Sequence, residues 1–224
     1  MVIKDSVVVI TSAATPLGAM FATHFSRLDA HVIVCDTNIQ GLKDTFSRCR
    51  EITSKVDMMA LNDVSLSAVD DLFNGIETKL GRSPNILVNH WTALPRLSFT
   101  DTLSGAQFIQ QFSLLASRLF LFGQVAAERM ASHQSGVIVN VVAQEPDQKQ
   151  SDIDSTTSMV TGFTKSWAKE LKIHNIRVGG IIPVSTHNYS VSVNWAKFQD
   201  ELTRTTEYIV TNDYFSGRVV STDG

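Results

Sequence analysis

The sequence predicts a three-layer α/β domain, doubly wound, with a parallel sheet of about seven strands and helices on both faces. Short β-branched runs alternate with longer segments of helical periodicity along the chain, the pattern of strands joined by crossover helices. Hydrophobic residues make up 43% and charged residues 18% of the 224 residues, enough to build a sizeable core and too little charge for a disordered chain. No linker, internal repeat or low-complexity segment divides the chain, so residues 1–224 read as one domain.

The elements follow in order. Val7–Ile10 is an unbroken apolar run and a buried strand, followed by a turn of small residues and a helix over Leu17–Leu28. His31–Cys35 is the second strand and Gln40–Ile52 the second helix. Lys55–Ala60 is the third strand, and apolar residues recur at helical spacing over Ser67–Leu80. Asn85–Val88 is the fourth strand. A long helix spans Thr102–Ser132, and Gly136–Val142 is a strongly β-branched fifth strand. Asp147–Ser155 is polar and reads as loop, Thr156–Ile173 as helix, and Ile176–Ile182 as the sixth strand, ended by Pro183. A helix over Trp195–Arg204 and a strand over Arg218–Ser221 complete the chain.

The charge excludes some partners. A formal net charge of −3, with lysines and arginines scattered, gives no electrostatic basis for binding nucleic acid or an anionic membrane. The most apolar helix carries Arg118, Glu128 and Arg129, so it does not read as a membrane span. The N-terminal apolar run is too short for a signal peptide. Cys35 and Cys49 lack metal-ligand spacing and read as structural thiols in a reducing compartment. A cytoplasmic protein without a metal is the expectation.

Six stretches in order carry a family resemblance. Residues 7–18, Val-Val-Val-Ile-Thr-Ser-Ala-Ala-Thr-Pro-Leu-Gly, look like a first strand and a glycine-rich T-G-x-x-x-G-x-G turn. Ile86-Leu-Val-Asn-His90 looks like V-N-N-A-G, and Gly136-Val-Ile-Val-Asn-Val141 like a strand leading to a catalytic serine. Gly162-Phe-Thr-Lys-Ser-Trp-Ala-Lys-Glu-Leu171 matches a helix that follows a catalytic lysine, Ile176-Arg-Val178 with Pro183 an I-R-V and P-G region, and 215–224 a terminal strand. Together they resemble the short-chain dehydrogenase/reductase family over essentially the whole chain. The resemblance implies a Rossmann-like fold and an NAD(P)-dependent hydride transfer.

That chemistry rests on a Tyr-x-x-x-Lys pair, one helical turn apart so that both side chains share a face. The resemblance puts Ile153 at the tyrosine and Thr157 at the lysine position. Tyr189, Tyr208 and Tyr214 are followed four residues later by Val193, Asn212 and Arg218, so no Tyr-x-x-x-Lys exists in any register. The serine position maps to Ala143 and the helix asparagine to Leu115. Residues without the required chemistry hold all four positions.

The cofactor positions are altered too. Ser12 and Pro16 stand where the first two glycines belong, and Gly18 alone remains. Pro16 has no N–H for a phosphate. His90 and Trp91 replace small residues after the fourth strand. Against these changes, Asp36 ends the second strand, where an acid favours NAD over NADP by binding a ribose hydroxyl; a loop cap is the equal alternative. Asp63, Val64 and Asn89 occupy the remaining cofactor-side positions. The expectation is no cofactor, with NAD the choice if one binds.

Other candidates read more plainly. His24, His174, Lys165 and Lys169 are surface or cap residues, and Trp167 is core or interface. His90, His187 and Tyr189 are the candidates for a relocated site. Three functions stay open: a non-catalytic family member acting through protein contacts, an NAD-dependent oxidoreductase with relocated groups, and a crevice that binds another small ligand without reaction, with Trp91 to stack on a ring. For the first, Phe112, Leu115, Leu119, Phe122 and Ala126 recur at helical spacing. The resemblance implies that this helix pairs across a two-fold axis, in a homodimer, a homotetramer or an assembly with an active paralogue.

Overall fold

Strand β1 (Val7–Ile10) is buried on both faces and sits near the middle of a seven-stranded sheet. A computed structural model describes residues 1–92, 94–95, 105–143, 151–183 and 195–222. The other sheet strands are β2 (His31–Asp36), β3 (Val56–Ala60), β4 (Ile86–Thr92), β6 (Gly136–Ala143), β8 (Ile176–Pro183) and β9 (Arg218–Thr222). Their spatial order is β3-β2-β1-β4-β6-β8-β9, and each neighbouring pair is parallel. The order reverses between β1 and β4. That is the switch point at which open α/β sheets form a crevice beyond the carboxyl ends of their strands.

The helices are α1 (Pro16–Arg27), α2 (Ile39–Arg50), α3 (Leu66–Leu80), α4 (Gly105–Ser132), α5 (Ile153–Glu170) and α6 (Trp195–Thr211). Alternation along β1 divides the core. Val7 and Val9 join Phe73, Leu119, Phe122 and Trp167 from α3, α4 and α5. Val8 and Ile10 join Phe21, Phe25, Leu42 and Leu202 from α1, α2 and α6. Both sheet faces are covered, which is why β1 is wholly apolar and the strands beside it nearly so.

Side-chain caps fix where three helices begin. Thr15, Asn38 and Ser65 accept hydrogen bonds from the amides of Gly18, Gly41 and Ala68, starting α1, α2 and α3. At the other end of α6, Arg177 donates to the carbonyls of Ile209 and Val210 at 2.7 and 2.6 Å.

The structure corrects several predicted boundaries. β4 continues through His90 and Trp91, which lie beside Val141 and Val142 of β6, because a neighbouring strand of equal length keeps their backbone paired. Within the stretch read as loop, Ser151–Asp152 (β7) pairs antiparallel with Leu94–Pro95 (β5), and α5 already begins at Ile153. Helix α6 runs past Arg204 to Thr211. Its threonines weaken the helical signal, yet Thr203 and Thr206 donate to the carbonyls of Gln199 and Leu202, a helix-compatible bond.

Candidate functional site

A cleft of about 370 Å³ opens at the switch point. Ser12, Thr15, Asp36, Thr37, Leu61 and Val64 form one side of its lining, and Trp91, Gln111, Leu115, Arg118 and Phe122 another. The first set comes from the ends of β1, β2 and β3 and the turns after them. The second comes from β4 and from one face of α4, where positions 111, 115, 118 and 122 share a side.

The turn after β1 keeps its glycine-like path without its glycines. Ser12 lies in the left-handed region at φ 49°, which costs a non-glycine residue about 1–2 kcal/mol. Gly18 remains because a Cβ there would stand 2.1 Å from the Ser12 carbonyl oxygen. Thr15 bridges the turn: its hydroxyl donates to the Ser12 carbonyl at 3.0 Å and accepts from the Gly18 amide at 3.1 Å. Pro16 is the first residue of α1, a favourable place for proline, and contributes no N–H. Helix N-termini hold anions through free amides. Here one amide is absent and another is satisfied by Thr15.

Asp36 lines the cleft while bracing its floor. One carboxylate oxygen accepts the Ala14 amide at 3.0 Å and the other the Asn38 amide at 2.9 Å, tying the end of β2 to the β1–α1 turn. Asp63 is exposed and accepts the Ser65 amide at 3.0 Å, an Asx turn leading into α3; Val64 does line the cleft.

Asn89 lies beneath the cleft. Its amide donates to the Leu119 carbonyl and to Asn140 Oδ1, and its own Oδ1 accepts the Trp91 indole N–H at 2.7 Å. Asn140 donates onward to Thr164 at 3.2 Å. All four residues are buried. This chain of hydrogen bonds holds the Trp91 ring, which packs on Phe122 at 5.8 Å between ring centroids. On the cleft side, the Arg118 guanidinium lies 5.6 Å from the centroid of the Trp91 ring.

Of the four proton-handling positions, Leu115 lines the cleft. Ala143 ends β6, fully buried; Thr157 sits on α5 with its hydroxyl oxygen buried and without a partner among the described residues; Ile153 is the first residue of α5. Among the other candidates, His90 is fully buried against Phe21 and held down to about 4 by desolvation. It belongs to the core and does not line the cleft. His24 pairs with Glu207 at 3.1 Å, Lys165 and Lys169 are exposed, and Trp167 stacks on Phe163 at 5.2 Å. Burial pushes the Cys35 thiol up. His187 and Tyr189 lie outside the described residues. No group of three metal-ligating side chains occurs among the described residues, and none of their helices is long and apolar enough to cross a membrane.

Thr15, Gln111 and Arg118 were not among the sequence candidates. The signal for the latter two was a polar and a basic residue on the otherwise apolar face of α4.

Residues 6–197 match the family model described as short chain dehydrogenase. The chain belongs to the short-chain dehydrogenase family. Within this family it is 25% identical over 215 residues to the sorbitol-6-phosphate 2-dehydrogenase of Klebsiella pneumoniae, covering 87% of this chain and 77% of that one. It is 26% identical over 186 residues to a 3-oxoacyl-[acyl-carrier-protein] reductase of Thermotoga maritima, covering 82% and 75%. The crystal structure of a short-chain type dehydrogenase/reductase from Mycobacterium marinum superposes with a TM-score of 0.82 at 20% identity, over 100% of this chain and 96% of that one. An NAD⁺-bound xylitol dehydrogenase also gives 0.82, at 14% identity over 98% of each chain. The parallel seven-stranded sheet is the fold of these short-chain dehydrogenase structures.

Proposed function

We propose that this chain is a non-catalytic short-chain dehydrogenase that acts as a dimer through the surface of α4 and α5. The observation that carries the proposal is the closed end of α1: Thr15 takes the Gly18 amide and Pro16 offers none. A dinucleotide's pyrophosphate needs those amides. The residues present do not fit the group, and no reaction step is derived through it. The absence of any Tyr-x-x-x-Lys in the sequence supports the same reading, because a positioned acid contributes about 10²- to 10⁴-fold to the rate.

The apolar face read from the sequence needs correction as an interface. Leu115, Leu119, Phe122 and Ala126 are buried in the chain's own core. Among the described residues, the exposed apolar side chains of α4 are Phe112 from that face together with Ile109 (65%), Leu114 and Phe120 (44%). Phe120 lies 6.4 Å from Phe163 and 6.2 Å from Trp167 of α5, which makes one aromatic patch across both helices. Gly123 allows this, since a Cβ there would meet the Trp167 ring at 2.5 Å. An apolar patch of this kind marks a contact surface, and a second copy is the occupant that the family resemblance implies.

A second reading has one observation in its favour. Asp36 still lines the cleft, and the relatives above carry the names of dehydrogenases and reductases. An NAD-dependent oxidoreductase with relocated groups would need both a bound dinucleotide and turnover. The test is hydride transfer from NADH and NADPH to a panel of sugar, steroid and acyl ketones. No turnover above the uncatalysed rate supports the proposal, and turnover with any acceptor overturns it.

A further inference from the structure

We propose that the cleft binds a small organic acid, its carboxylate held by Arg118 and its hydrogen-bond donor by Gln111. The proposal rests on the reading that no dinucleotide occupies this space, and it names what takes its place.

Arg118 is a half-buried cation whose surroundings are apolar: Leu114, Leu115, Phe122 and Trp91 line the cleft with it. The indole, fixed by Asn89, lies under the guanidinium. It supplies no hydrogen-bond acceptor. The Arg118 Nε is buried and has no acceptor among the described residues, and no carboxylate among them pairs with this side chain. Two helical turns earlier, the Gln111 Oε1 is likewise buried without a donor among the described residues. A buried donor and a buried acceptor left unmade on one wall of a cavity are both costly. A carboxylate answers the first, in a charge-assisted bond strengthened by apolar walls. A hydroxyl or amide N–H next to it answers the second. Leu61, Val64 and Leu115 offer surface to an apolar body. Asp36, across the cleft, disfavours a second anionic group and favours a ligand with a single negative end. A volume of about 370 Å³ lies near the low end of small-molecule sites, which run from about 300 to 1,000 Å³.

The test uses the full chain and salicylate as the probe, with its neutral analogue 2-hydroxybenzyl alcohol and inorganic phosphate beside it, all followed by calorimetry. Salicylate is expected to bind in the millimolar range or tighter, with the alcohol at least about tenfold weaker, a difference of about 1.4 kcal/mol. Arg118→Gln and Gln111→Leu each weaken salicylate, while Arg118→Lys retains part of the affinity. As a measurement independent of those variants, salicylate shifts the indole N–H resonance of Trp91, identified by its loss in Trp91→Phe. Equal affinity of the wild type and Arg118→Gln for salicylate overturns the proposal, as does no binding up to about 10 mM in the low-affinity range. Phosphate that matches salicylate overturns the assignment to an organic acid. A parallel NADH titration separates the two readings: NADH uptake defeats the reading that no dinucleotide occupies the cleft, whereas absent salicylate binding defeats only the acid site.

Discussion

The hydroxyl of Thr15 accepts a hydrogen bond from the Gly18 amide at 3.1 Å, across a turn in which Ser12 holds a left-handed backbone. Ser12 thus keeps a backbone that suits glycine, while the Gly18 amide is taken up inside the turn. Opposite substitutions at the two ends of the turn test this arrangement.

Ser12→Gly relieves the left-handed strain of about 1–2 kcal/mol against a glycine entropy cost of about 0.5–1 kcal/mol. A net stabilisation of about 0.5–1 kcal/mol is expected in urea unfolding. Gly18→Ala forces a methyl to within 2.1 Å of the Ser12 carbonyl and is expected to destabilise by about 1–3 kcal/mol. Unchanged midpoints in both variants would contradict the close approach.

How much of this was legible in the sequence depended on the kind of signal. The strands were plain because Val7–Ile10 is a continuous apolar run and Gly136–Ala143 is interrupted only by Asn140, both covered on both faces. The altered turn was plain because Ser12 and Pro16 break a spacing. The Thr15 bridge was not, since a cap depends on backbone angles that residue names do not carry. Arg118 was visible only as a charge on an apolar helix, and its role needed Trp91, 27 positions away in sequence, at 5.6 Å. His90 looked like a ligand because it was expected beyond the strand end. The extra length of β4 buries it instead.

His90 makes stability depend on pH. Its folded pKa is held near 4 by burial, below the ordinary value of 6.5, so the unfolded chain binds the proton more readily in between. Stability is therefore full above about pH 6.5 and falls as pH drops toward about 4, by about 3 kcal/mol for this group alone. Urea midpoints measured from pH 7 to pH 4 should fall less steeply in His90→Leu than in the wild type. Parallel curves would show that the ring is not buried as a neutral group.

The aromatic patch on α4 and α5 predicts the assembly state. Sedimentation of the wild type is expected to give a dimer, and Phe120→Glu, at a residue 44% exposed, a monomer with unchanged helix content. A monomeric wild type, or a dimer that survives the substitution, would place the contact elsewhere.

The reading that no dinucleotide occupies the cleft stands or falls on nucleotide binding. The most direct measurement is calorimetric titration of the full chain with NADH and NADPH to millimolar concentration, repeated on Asp36→Ala. The closed end of α1 predicts no saturable heat with either nucleotide, and no difference between wild type and variant. Micromolar NADH binding that weakens in Asp36→Ala would contradict it, showing that the cofactor cleft still works despite Thr15 and Pro16.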